Sequence, residues 1–73
     1  MKKRYQAVSI EKRWRIATNE YFYVVKVHDT RGKDGIFNMW YENVPKSQVV
    51  RHLRAEDIEV SKHVENGGKL RLF

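Results

Sequence analysis

Two runs of alternating aromatic and β-branched residues, parted by a loop with two glycines, constrain this chain more than any other feature. Residues 21–28 (Tyr21, Phe22, Tyr23, Val24, Val25, Lys26, Val27, His28) and 36–42 (Ile36, Phe37, Asn38, Met39, Trp40, Tyr41, Glu42) repeat at the period of a strand. Between them, Arg31-Gly32 and Asp34-Gly35 offer the backbone freedom that a hairpin loop needs. An antiparallel hairpin is expected. One face carries Tyr21, Tyr23, Val25 and Val27 with Phe37, Met39 and Tyr41; Val25, Val27, Phe37 and Met39 are expected to be buried. The other face sets Phe22, Val24, Ile36 and Trp40 among Lys26, His28 and Asn38. A sheet face left in water is normally polar, so a helix, a barrel wall or a partner is expected to cover this second side.

The flanks are weaker. Over residues 6–17, Val8, Ile10, Lys12, Trp14 and Ile16 alternate with Ala7, Ser9, Glu11, Arg13 and Arg15, which suits one long strand, or two short ones, with a basic outer face. Thr18-Asn19-Glu20 reads as a turn. Residues 44–54 predict a helix, with Asn43 as cap, Pro45 in the first turn and Val49, Val50 and Leu53 on one face. Residues 58–64 admit two readings. A helix could run to Val64 and stop at Asn66-Gly67-Gly68, or Ile58, Val60 and Val64 could mark a strand that turns there into residues 69–73. The strand is preferred. The expected fold is α+β, a small antiparallel sheet of four to five strands with one short helix. The alternative is an all-β SH3-like barrel, with residues 49–54 as strand and Ala55-Glu56-Asp57 as a tight turn.

Size and charge limit function. The 73 residues make a single small globular domain over positions 1–73, with residues 1–4 as a flexible basic tail. Without cysteine there is no disulfide, Cys-based zinc site or thiol nucleophile. His28, His52 and His63 lack metal-site spacing, so neither metal nor cofactor is expected. Glu56, Asp57 and Glu59 read as an exposed acidic turn, and no phosphate-binding glycine loop occurs. Catalysis is not expected. No apolar run could span a membrane, so a cytoplasmic location and no membrane partner follow. The net charge is +6, and residues 1–15 alone hold +5 of it, through Lys2, Lys3, Arg4, Lys12, Arg13 and Arg15 against Glu11. Such an excess attracts polyanions or an acidic protein surface.

The candidate partner-binding residues are therefore Lys3, Arg4, Arg13, Trp14, Arg15 and Trp40. Arginine pairs bidentately with carboxylate or phosphate and stacks on aromatic planes, and tryptophan is enriched at interface hot spots. Trp14 is expected to support Arg13 and Arg15 from the core side. A purely solvated arginine face with Trp14 in the core is the plainer alternative. Three partner classes are weighed: a large protein assembly, nucleic acid, for which weak non-specific binding is expected, and an enzyme substrate, disfavoured above. A monomer is favoured. The length, the basic cysteine-free composition, the start Met1-Lys2-Lys3-Arg4 and the lack of enzymatic motifs together resemble small phage-encoded regulators that bind host RNA polymerase. The resemblance is one of overall character and transfers no residue. It implies a protein of the host bacterial cytoplasm that binds bacterial RNA polymerase, inhibits transcription initiation and affects termination.

Overall fold

The computed structural model describes residues 3–32 and 35–71. Strand β1 spans Tyr5–Arg15, β2 Glu20–Asp29 and β3 Ile36–Glu42; helix α1 spans Lys46–Ala55, β4 Ile58–Glu59 and α2 Lys62–Glu65. One four-stranded sheet has the order β3-β2-β1-β4. The β2–β3 hairpin forms with the expected residues sharing a face, and its register sets Tyr23 opposite Tyr41, Val25 opposite Met39 and Val27 opposite Phe37. Gly35 sits where a Cβ would come within 2.7 Å of the Asp29 Cβ, so lack of a side chain is what this loop end requires.

β1 is one strand with an irregularity. Ala7 faces Val27 and Ser9 faces Lys26, leaving Val8 as an extra residue. This bulge switches the phase of the alternation. Ala7 before it, and Ile10, Lys12 and Trp14 after it, thereby share the inner face. The strand ends at Arg15, and Ile16, expected within it, lies in the turn almost wholly exposed (97%). Asn19 closes that turn with φ 55°, a conformation asparagine tolerates better than branched residues.

The core lies on the inner face. Ala7, Ile10, Tyr23, Val25 and Val27 from the sheet pack against Val49, Val50 and Leu53 of α1 and against Ile58, Val60 and Val64. Val49, Val50 and Leu53 recur at helical spacing, so one stripe of α1 is buried, as expected. The start of α1 differs from expectation. Pro45 is the N-cap residue and makes no side-chain cap bond. Asn43 instead takes φ 51° and donates from Nδ2 to Glu20 Oε2 at 2.7 Å. At the other end of α1, Asp57 turns the chain with φ 63°.

Two further expectations are corrected. Residues 49–54 are helical, which removes the SH3-like barrel. Residues 58–64 are not one strand: only Ile58–Glu59 pairs, and it runs parallel to β1, making the sheet mixed. Ser61 then caps α2, its Oγ accepting from the Val64 N–H at 3.2 Å. Ile58, Val60 and Val64 are all buried, so the apolar pattern is used across a strand and a helical turn. The chain beyond Gly67 (φ 99°) returns along β1, where the Leu70 N–H donates to Val8 C=O at 3.0 Å. The expected last strand over 69–73 is absent through Arg71, and Leu72 and Phe73 lie outside the described residues. The fold is a small α+β structure of a four-stranded mixed sheet and two short helices.

Candidate binding surface

The helices cover only part of one sheet face. The molecule is 40 Å long, whereas a ten-residue helix spans about 15 Å. The β1–β2 hairpin consequently runs past the core as an arm, and residues 12–20 are all exposed. The opposite face of the sheet has no helix on it among the described residues.

On that open face, Phe22 and Trp40 stack with ring centroids 5.9 Å apart and planes 14° from parallel. They meet because Val24 is opposite Trp40, and Phe22 and Val24 lie two residues apart on one face. The Arg15 guanidinium sits 5.0 Å from the Phe22 ring centroid and forks onto both Glu42 oxygens, with one bond of 2.8 Å. Arg13 bonds Glu11 Oε2 at 2.9 Å, and Lys69 reaches the other Glu11 oxygen at 2.9 Å. These cations, Lys69 first and then Arg13, hold the Glu11 carboxyl down at about 2. Beside them Ser9, Val24, Lys26, Asn38 and Trp40 line a shallow groove. Lys26 is exposed and makes no ion pair among the described residues.

Trp14 is not a core residue. It is 57% exposed, because its place opposite Tyr21 lies beyond the end of the helices. On this arm Trp14 meets Tyr21 edge-on at 5.9 Å, and Lys12 Nζ lies 4.6 Å from the Tyr21 centroid and 5.4 Å from that of Trp14. The arm thus shows an aromatic-cation cluster on each side: Trp14, Tyr21 and Lys12 on one, Trp40, Phe22 and Arg15 on the other.

The six sequence-predicted residues therefore divide. Arg13, Arg15 and Trp40 share the open face, while Trp14 is on the reverse of the same arm. Lys3 and Arg4 are elsewhere. Nine residues of extended chain separate Arg4 from Arg13, about 30 Å, so the basic concentration in the sequence is not a patch in space. Nor do Lys3 and Arg4 behave as part of a free tail: Lys3 pairs with Asp57 at 3.4 Å and Arg4 with Asp29 at 3.2 Å, and Arg4 C=O accepts from the Thr30 N–H at 2.8 Å. Arg4 and the Arg31 N–H hold the Asp29 carboxyl below its ordinary range. Met1 and Lys2 lie outside the described residues. Sequence reasoning passed over Phe22 as a site residue. Its signal was there, as an aromatic at a position where a solvated face would be polar.

The histidines are dispersed. The His52 Nδ1 lies 2.8 Å from the Tyr41 hydroxyl and its Nε2 3.7 Å from Glu56. This chain of groups has the outline of a relay, but burial and then Glu56 push the Tyr41 phenol up. That is the opposite of nucleophile activation. The contact instead ties β3 to α1. No helix among the described residues is long and apolar enough to cross a membrane. Comparison with known protein families, with curated proteins and with solved structures finds no match.

Proposed function

We propose that the protein is a non-enzymatic, cytoplasmic regulator that docks through its open sheet face onto a large protein assembly. The observation that supports this reading best is the Phe22–Trp40 stack, with Phe22 half-buried and Trp40 59% exposed, framed by arginines already bonded to the protein's own carboxylates. Two stacked aromatics on a rigid sheet give a large apolar anchor at low entropic cost, the composition of an interface hot spot. The arginines are pre-positioned, and their charge is largely cancelled by Glu11 and Glu42, which suits a mixed protein surface better than a phosphate track. The target named by the resemblance is bacterial RNA polymerase. Occupying it would inhibit initiation and affect termination.

The alternative is a sheet-based nucleic-acid binder, favoured by one observation, since an aromatic pair on an open sheet can stack bases. One titration separates the two. Binding to purified bacterial RNA polymerase and to duplex DNA is measured from 50 to 300 mM salt, for the parent chain and Trp40→Ala. The regulator reading expects polymerase binding that persists at physiological salt and weakens about 30-fold in Trp40→Ala. It also expects DNA binding with a shallow log–log slope, because Arg13 and Arg15 are paired and Lys3 and Arg4 are remote. A slope near −5, the value for about six engaged cations, with no polymerase binding would replace the regulator by the alternative.

A further inference from the structure

The two edges of the sheet are treated differently. At one edge β4 is only two residues long, and the Leu70 segment bonds to Val8 beside it. The other edge, β3, is seven residues long and regular. It has none of the usual devices that blunt an edge, namely lysine, proline or a bulge; its sole ionised side chain is Glu42, at the end.

The direction of the free backbone groups on β3 follows from two bonds that bracket the β2–β3 ladder. The Asp29 N–H donates to Gly35 C=O, and the Asn43 N–H to Tyr21 C=O. Directly opposed residues in an antiparallel pair alternate between bonded and non-bonded. Phe37, Met39 and Tyr41 therefore bond inward to β2, and the N–H and C=O of Ile36, Asn38, Trp40 and Glu42 point outward. Sequence reading expects Phe37 and Met39 to be buried; Phe37 is 42% exposed and Met39 half-buried. Ile36, on the open face, is 43% exposed. The strand has the residue pattern of a sheet interior and the position of an edge.

We propose that β3 is a dimerisation edge, pairing antiparallel with β3 of a second copy about a two-fold axis at Met39. Among two-fold registers, this one overlaps the strand over its full length. It sets Asn38 opposite Trp40 of the other copy and Ile36 opposite Glu42, all pairs whose free groups face each other. On the inner face it brings Phe37 against the second Tyr41 and Met39 against the second Met39, burying what the single chain leaves open. Charge permits it despite the net +6: residues 36–41 carry no ionised group, and the two Glu42 side chains, each held by its own Arg15, lie at opposite ends. Two seven-residue edges make a small contact, so association is expected to be weak and to follow concentration. The inference does not depend on the docking reading.

The test is sedimentation velocity of the full chain from 5 μM to 1 mM in physiological salt. A monomer–dimer shift is expected with rising concentration. Asn38→Pro, which removes an outward N–H and no internal bond, is expected to raise the dimer Kd about tenfold or more. Asn38→Lys, beside Lys26 of β2, sets unpaired like charges diagonally across the axis on an exposed edge position and acts in the same direction. Because the chain lacks cysteine, Met39→Cys reports the register directly: a non-bonded antiparallel pair places Cα atoms about 4.5 Å apart, within disulfide range. Mild oxidation then gives a covalent dimer. A parent chain that stays monomeric at 1 mM, variants at position 38 with unchanged dimer Kd, or failure of Met39→Cys to cross-link would each overturn the proposal.

Discussion

Replacing Leu53 by alanine separates the residues that hold this fold from those that only look as though they should. Leu53 is fully buried in the core that also holds Val25, Val27, Ile58 and Val60. Its truncation loses the transfer energy of the side chain and leaves a cavity, together about 2–5 kcal/mol. A core of this size supplies only ~3–5 kcal/mol of net stability, so the variant is expected to sit near its unfolding midpoint in plain buffer at 25 °C. Trp14→Ala removes a larger side chain from a half-exposed site on the arm and is expected to cost less than about 1 kcal/mol, the scale of one aromatic pair. Urea unfolding followed by far-UV circular dichroism makes the comparison; tryptophan emission is a poor probe, since both indoles are exposed in the folded state. With a slope of about 1 kcal/mol/M, Leu53→Ala should lower the midpoint by about 2–5 M and Trp14→Ala by less than about 1 M. A Trp14→Ala midpoint that falls as far as that of Leu53→Ala would refute the placement of Trp14 outside the core.

Other predictions follow from single contacts. The Glu11 carboxyl, depressed to about 2, is expected to titrate near that value by carboxyl-carbon NMR. Its folded pKa lies below the unfolded one, so its contribution to stability is present above pH ~4.5 and is lost as pH falls towards 2; Glu11→Gln should flatten that acid limb, and an observed pKa above 4 would dissolve the Lys69–Glu11–Arg13 bridge. Asn19→Gly should be neutral or stabilising, and Asn19→Val should cost about 1–2 kcal/mol at a positive φ, as read from thermal midpoints. Phe22→Leu should cost no more than about 1 kcal/mol, the scale of one aromatic pair at a half-buried position, while altering the near-ultraviolet dichroism that the Phe22–Trp40 stack gives Trp40. An unchanged spectrum would mean the rings do not stack in solution.

The β2–β3 hairpin was legible because two independent signals agree there, alternation and a glycine-bearing loop, and α1 because Val49, Val50 and Leu53 form a helical stripe behind Pro45, although a strand over 49–54 was the competing reading. The misreading of residues 58–64 has a local cause. Ile58 and Val60 keep period two, but Lys62 breaks it, and Val60 to Val64 is a helical interval. Ser61 three residues ahead of Val64 was the capping signal that decides for a turn of helix. Trp14 could not be placed from sequence, since its exposure depends on where α1 and α2 stop covering the sheet, which is a matter of three-dimensional lengths. The division of the basic residues was within reach. A continuous strand over residues 6–17 already puts Arg4 and Arg15 far apart, and summing charge along the chain ignored that extension.

The parallel pairing of Tyr5 with Ile58 carries a consequence for how the chain is made. A ribosome releases β1, β2 and β3 before α1, so the meander can close by local contacts while its inner face, with Val25 and Val27, is still bare. Nothing covers those valines until Leu53 and Val64 emerge, and the strand that joins the two halves is the first one synthesised meeting the last. Nascent chains arrested before Leu53 should therefore remain protease-sensitive, with resistance arriving abruptly once residues through Leu70 are free to reach back to Val8.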